Sequence, residues 1–587
     1  MKKYLFIALA ALGFAACAEK VDDTNVPKGE LEESYIAINL MAADVDTRAV
    51  TDDIGNADEY GYELGTDAER KINSAYFFFF NEDGDPFHVT PHQDGGAQGP
   101  AQTGNNYLPL IISAGSTSNM DNVSDIRNAV LVLNTYKGVY PSKIVAVLNW
   151  TPTVNSYSLS ELHAELADLV GVDGGFVMSN SVYMDGANEM VDAVPLTAAN
   201  IKTTPEAAIA APIDIYVERT AAKVILTASG KVEGTTNIFG TEKKTTPVLS
   251  SGTSSEIDVY VQLHGWELYN DYSTSTLLKN INTTWDPATL GLTWNDIPYY
   301  RCYWAQPQVT LPSDSFAWSY ANAADNGFFT TYGFNVADDA SYASGTYTYC
   351  GENTNQKTGT TDPRTKVILK GRLMQSDGEG GYKTLELARW YGTEYVGNEA
   401  LRTAVANSLK YILYYKDDDR YISIAPEHLE CIAGNNPILS GADIKAYEVG
   451  FQLTTDAAKL RWFQYSSANG YVEFGDNTIQ GDNAARANEY LKGVEPALLY
   501  ASGQTYYIVD IKHLGAAGKT AEYGVVRNHV YQIDIKSIKG YGTPVYIGTS
   551  NIVTPPEYPI EDEASYVAAK INVLSWKVVK QQVNVGQ

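Results

Sequence analysis

The run Lys71-Ile72-Asn73-Ser74-Ala75-Tyr76-Phe77-Phe78-Phe79-Phe80 constrains this chain more than any other stretch. Its continuous apolar side chains fit a strand buried on both faces, so the sheet that holds it must be covered on both sides. The run closes on Asn81-Glu82-Asp83-Gly84-Asp85-Pro86. That acidic cluster lacks the ligand spacing and the terminal bidentate Glu of a Ca²⁺ loop, whereas a hairpin turn at Asp83-Gly84 accounts for it.

Strand writing recurs along the chain. In residues 34–41, Ile36, Ile38 and Leu40 fall two apart and share one face. Further strands are expected at 129–133, 143–148, 257–263, 366–373, 471–474, 505–511 and 525–535, with one long extended segment over 213–226. At the C-terminus Ile571, Val573, Val579, Val583 and Val585 mostly alternate with Asn572, Lys580, Gln582 and Asn584, while Leu574, Trp576 and Val578 interrupt the period near Ser575. A bend or bulge there would pass the strand from one apolar face to another. Two stretches follow helical spacing instead. One covers 158–170, with Leu159, Leu162, Leu166 and Leu169 behind a Ser158-x-x-Glu161 capping box and His163 at the surface; the other covers 398–414, with Leu401, Val405, Leu409 and Ile412 on one face. The chain of 587 residues exceeds one ordinary core, and its 42 Tyr, 48 Gly and 19% charged residues suit many strands joined by turns. The expectation is a mainly β chain with a few short helices, a domain boundary near 210/211, and a linker over 540–562.

A net charge of −28 opposes binding to nucleic acid or anionic lipid. Lys2 and Lys3 precede an apolar run over 4–16 that ends Phe14-Ala15-Ala16-Cys17. The run resembles a secretory signal of the bacterial lipoprotein kind, whose processing would make Cys17 the lipid-bearing residue. Of the other cysteines, Cys302 and Cys350 sit in Tyr-rich, strand-like runs where a bridge is conceivable, buried free thiols are an equal reading, and Cys431 lies apart. Arg48 stands isolated in an acidic, polar segment, where proteolytic nicking concentrates.

Signatures of chemistry are missing from the sequence. The seven His form no His-Glu-x-x-His or Cys/His cluster, and no nucleophile elbow, phosphate loop or dinucleotide fingerprint occurs. Asp417-Asp418-Asp419 reads as an acidic turn after the second helix. Neither catalytic residue, metal nor cofactor is therefore expected. A surface lipoprotein that binds glycans is the alternative from another class, with Trp390-Tyr391 beside Arg389, or Tyr303-Trp304, as sugar-stacking platforms. A hydrolase would need a carboxylate pair in a cleft.

Five segments taken in order resemble the fimbrillin family of Bacteroidales, the type V pilins, and most closely the major subunit of Mfa-type short fimbriae. They are the lipobox at Cys17, Val217-Glu218-Arg219-Thr220-Ala221-Ala222-Lys223-Val224, Tyr349-Cys350-Gly351-Glu352-Asn353-Thr354, Val525-Val526-Arg527-Asn528-His529-Val530-Tyr531, and Ile571-Asn572-Val573-Leu574-Ser575-Trp576-Lys577-Val578. The resemblance implies two tandem β-sandwich-like, transthyretin-like domains and an extended C-terminal donor strand. Mapped onto this chain, 1–17 is a lipoprotein signal peptide, 18–48 a propeptide, 49–210 and 211–562 the two domains, and 563–587 the donor segment. It further implies lipoprotein-processing enzymes, then cleavage between Arg48 and Ala49 by an Arg-specific protease. Cleavage would remove the strand of Ile36, Ile38 and Leu40. Ile571, Val573, Trp576, Val578, Val579, Val583 and Val585 of another copy would then fill the vacated groove. The product would be a fimbrium on the cell surface supporting adhesion and biofilm formation, its partners further copies and accessory tip and anchor subunits, and its precursor anchored in the outer membrane.

Overall fold

The computed structural model describes residues 31–42, 68–89, 104–111, 128–136, 138–171, 174–181, 183–184, 190–280, 300–301, 346–359, 362–434, 436–445, 447–475, 478–513, 518, 522–546 and 566–575. The chain is mainly β, with sheets packed face to face.

Three sheets make the main body. The first runs Tyr107–Ile111, Ser74–Phe80, Lys143–Leu148, Met178–Asn180, Ile213–Arg219, Leu31–Ala42 and Asn128–Tyr136, with Val194–Pro195 added beside Lys143–Leu148. The second runs Tyr347–Gly351, Ala221–Thr227, His529–Lys539 and Tyr566–Ser575. The third runs Ile238–Thr245, Ile257–Tyr269, Lys366–Ser376, Gln504–Asp510 and Thr543–Pro544, with Tyr382–Thr384 beside Lys366–Ser376.

The period of two decides how these layers stack. Along Ala221–Thr227, Ala222, Val224 and Leu226 face the third sheet and pack with Val261, Trp266 and Leu369. Ala221 and Ile225 point the other way and join the core of the first sheet. The phenylalanine run is buried on both faces, as its composition demands. Phe77 and Phe79 pack with Ile38, Ile144 and Ile215, while Phe78 and Phe80 pack with Val145, Leu159 and Leu277. The run turns at Asn81–Asp85, where Gly84 holds a φ of +85° that suits glycine.

A third core lies within 387–500. It is built from the helices Gly397–Leu409 and Asp482–Leu491, the pair Leu429–Ala433 and Val449–Leu453, and a small sheet ordered Arg420–Ser423, Leu413–Asp417, Arg461–Ser466, Gly470–Glu473. Leu401, Val405 and Trp462 sit at its centre.

Several local expectations change. The first helix is only Leu159–Ala164: Ser158 and Glu161 form the capping box, but Glu165 is extended and Leu166–Asp168 pairs as a strand with Thr274–Thr276. Leu166 is consequently exposed rather than in the core. His163 is partly buried and its Nε2 lies 3.1 Å from Asp192 Oδ2, so it is more than a surface residue. The second helix stops at Leu409, and Asp417–Asp419 close the hairpin between Leu413–Asp417 and Arg420–Ser423 rather than a helix end. The extended 213–226 segment splits at Thr220, with Ile213–Arg219 in the first sheet and Ala221–Thr227 in the second. Part of the 540–562 linker packs instead: Tyr541 and Val545 are buried, and Thr543–Pro544 pairs with Gln504–Asp510.

Candidate functional site

The strand Leu31–Ala42 lies inside the first sheet although it belongs to the N-terminal end of the chain. It runs parallel to Ile213–Arg219, with Ile38 opposite Ile213 and Leu40 opposite Ile215. On its other side it is antiparallel to Asn128–Tyr136, with Ile36 opposite Leu131 and Ser34 opposite Leu133. Tyr35 exchanges backbone hydrogen bonds with Lys202, donating at 2.8 Å and accepting at 3.0 Å. Among the described strands, Asn128–Tyr136 pairs with Leu31–Ala42 alone. Taking this strand away would open a slot one strand wide and leave Asn128–Tyr136 without its ladder.

Side chains make the slot apolar. Ile36 and Ile38 are fully buried and Leu40 is 5% exposed, all within the core of Phe77, Leu131, Leu133 and Ile215. Burying three such side chains contributes roughly 5–9 kcal/mol before ordering costs.

The C-terminal strand Tyr566–Ser575 is an edge strand in its own chain. It runs antiparallel to His529–Lys539, with Ile571 opposite Ile533 and Val573 opposite Tyr531, and a bulge separates Ile535 from Ser537. The other five donor positions, Trp576, Val578, Val579, Val583 and Val585, lie outside the described residues, as do Cys17, Arg48 and Ala49. Slot and terminal strand thus belong to different sheets.

Three of the five resemblance segments, read in the sequence only as signatures, meet in one buried polar network. Lys223 Nζ lies 2.9 Å from Glu69 Oε1, Lys279 Nζ 2.9 Å from Glu218 Oε1, and Arg527 Nε 3.0 Å from Glu352 Oε2, each pair almost wholly buried. Arg219 donates Nε–H to the Glu69 carbonyl at 2.9 Å and Nη1–H to Asn528 Oδ1 at 3.3 Å. Arg527 also donates to the Thr276 carbonyl at 2.7 Å. Tyr349 donates its hydroxyl to Glu69, and burial followed by that bond raises the phenol well above its ordinary range. Buried charges of this kind hold geometry, because breaking one pair strands the other charge. Here they fix the first sheet to the second. They also pin the backbone at Glu69, immediately before the basic residue Arg70.

Among the described residues no group of three or more His, Cys, Asp or Glu is placed to hold a metal ion, and no helix is long and apolar enough to cross a membrane. Cys350 and Cys431 are buried free thiols, with burial raising both pKa values; Cys302 lies outside the described residues. Trp390 is buried and donates its indole N–H to the Glu495 carbonyl at 2.8 Å. Only Tyr391 of that pair remains open as a stacking platform, and Tyr303-Trp304 lies outside the described residues.

Residues 498–582 match the family model described as major fimbrial subunit protein type IV, fimbrillin, C-terminal. That match covers the C-terminal part of the chain, and the model's description is of a fimbrial subunit. Comparison with curated proteins gives no match. Among solved structures, the chain is similar to a fimbrilin of Porphyromonas gingivalis at 13% identity and a TM-score of 0.34, covering 93% of this chain and 98% of that one. It is also similar to the tip fimbrial protein Mfa3 of the same organism, at 12% identity, a TM-score of 0.28, and 93% and 100% coverage. A third is a candidate cell adhesion protein of Parabacteroides distasonis, at 14% identity, a TM-score of 0.34, and 93% and 98% coverage.

Proposed function

We propose that this chain is the major, stalk-forming subunit of a cell-surface fimbrium, held until maturation by its own first strand. The observation that carries the proposal is the interior position of Leu31–Ala42, a strand ahead of Arg48 whose apolar Ile36, Ile38 and Leu40 fill a slot between two other strands. In this account the precursor is exported as a lipoprotein on Cys17 and anchored in the outer membrane. Lipoprotein-processing enzymes and an Arg-specific protease act in turn, and the cut between Arg48 and Ala49 releases the first strand.

An apolar segment from the C-terminus of the next subunit then enters the slot. Because 566–575 pairs at the sheet edge of its own chain, we take the donated part to be the segment beyond it, through Trp576, Val578, Val579, Val583 and Val585. A head-to-tail contact of this kind does not close on itself, so it propagates as a filament with further copies, finished by accessory tip and anchor subunits and serving adhesion and biofilm formation. The mature unit comprises the domains 49–210 and 211–562 with the C-terminal segment 563–587, whose end is donated.

Cutting at Arg70 instead would sever the chain beside Glu69, whose carbonyl and carboxylate are both held in the buried network. Two variants test the scheme. Arg48→Ala should leave a lipidated monomer, and deletion of 576–587 should leave a folded monomer that keeps its edge strand. Polymer ladders of ordinary length from either variant would refute the corresponding step.

A further inference from the structure

The small sheet of the third core has two faces of opposite character. Leu413 and Trp462 point inward, with Tyr415 packed against them. The outer face carries five aromatic rings: Tyr414, Tyr421, Phe463, Tyr465 and Tyr471. Tyr421 and Tyr471 come from the two edge strands, yet their rings stack at 3.8 Å and 2° above the middle strands. Beneath this arch Tyr421 meets Phe463 edge-on at 5.1 Å, and Tyr471 meets Tyr414 edge-on at 5.0 Å. Tyr465 lies 4.9 Å from Tyr471. Tyr421, Tyr465 and Tyr471 are still 36%, 38% and 41% exposed. A soluble β-sheet ordinarily turns polar side chains outward, and here an ordered group of aromatic rings takes that place.

Three observations select its occupant. The face spans four strands by about four residues, on the order of 250 Å² from strand spacing and rise. A stable protein partner covers about 800 Å² per side, so the patch is far too small for one. The cations around it have carboxylates beside them: Arg461 forks onto Glu473 at 3.0 and 2.6 Å, Arg420 lies 3.9 Å from Asp417, and Lys416 lies 3.9 Å from Asp419. These three pairs balance charge at the face, which gives an acidic ligand no net positive field. The rings pack on one another rather than around a space, which excludes a cage for a quaternary ammonium group. What suits a small group of partly exposed phenol rings, held in place by their contacts with one another, is a neutral sugar, whose C–H groups can lie on an open ring face while its hydroxyls bond the tyrosine oxygens.

We propose that the Tyr414–Tyr421–Tyr465–Tyr471 face binds a neutral oligosaccharide a few pyranose rings long, giving the subunit a glycan-recognition site outside its assembly slot. The inference does not require polymerisation, so failure of the assembly scheme and failure of this site are separately visible.

The test applies the full chain, as monomer, to an array of neutral and acidic glycans, followed by titration calorimetry with the best neutral probe. Binding of neutral glycans should fall about tenfold or more in Tyr421→Ala/Tyr471→Ala. Tyr471→Trp keeps an aromatic platform, so it should retain binding and shift its indole emission when the sugar is added, which guards against a variant that merely fails to fold. Absence of any neutral hit, preference for sialylated or sulfated glycans alone, or unchanged binding in the double variant with its melting temperature retained would each overturn the proposal.

Discussion

Ile38→Ala probes whether the first strand is a replaceable part or simply one more piece of the core. Ile38 is fully buried between Ile213 and Ala129 and belongs to the core of Phe77 and Ile215. Truncating a side chain in such a place costs about 3 kcal/mol, within the usual 2–5 for large-to-small changes. If Leu31–Ala42 opens as a local unit, that cost acts on its opening equilibrium, which should rise by about two orders of magnitude. Hydrogen exchange followed by mass spectrometry on the uncut chain reads this directly. Protection should fall by that factor in Leu31–Ala42 and in Asn128–Tyr136, whose ladder depends on it, and should hardly change in Lys366–Ser376 of the third sheet. An equal fall in Lys366–Ser376 would refute the reasoning, because the strand would then open only with the whole molecule.

Glu69→Gln should cost about 3–5 kcal/mol in chemical denaturation, since Lys223 loses its carboxylate in a fully buried place; a loss below about 1 kcal/mol would show the network to be dispensable. Asp362 is raised by burial, but hydrogen bonds from Arg364 at 2.6 Å and contact with Lys366 at 2.7 Å outweigh this and hold its carboxyl well below the usual range. Its folded pKa is depressed, so its contribution is complete above about pH 4 and is lost as the pH falls below that. Asp362→Asn should therefore flatten the melting temperature against pH in that window, and an unchanged acid limb would contradict the assignment. Gly542→Ala should destabilise by about 2 kcal/mol or more, read by thermal melting, because its φ is +74° and a Cβ would come within 2.4 Å of Thr505 Oγ1. A neutral result there would mean that the turn re-forms without strain.

The sequence was legible where an unbroken apolar run met a doubly covered sheet, as in the phenylalanine run, and where a period of two met one buried face, as in the strand of Ile36, Ile38 and Leu40. It was less legible where periods compete. Leu159, Leu162, Leu166 and Leu169 satisfy a helical spacing, but Glu165 is extended and the chain pairs with Thr274–Thr276. Only the partner strand, far along the chain, decides between the two. The same holds for the buried network: Glu69 with Lys223, and Glu352 with Arg527, are brought together by the fold, and no local pattern announces either pair. The tyrosine arch joins residues from two separate hairpins, so composition alone could place tyrosines in strands without showing that four of them share a face.

The first strand has one parallel and one antiparallel neighbour. A strand laid in that slot the other way round would also meet one of each, merely exchanged. The backbone hydrogen bonds available are thus of the same two kinds in both orientations, and they hardly favour either. Polarity along a filament built through this slot would rest on side chains, on whether an incoming segment can set its apolar residues where Ile36, Ile38 and Leu40 had been.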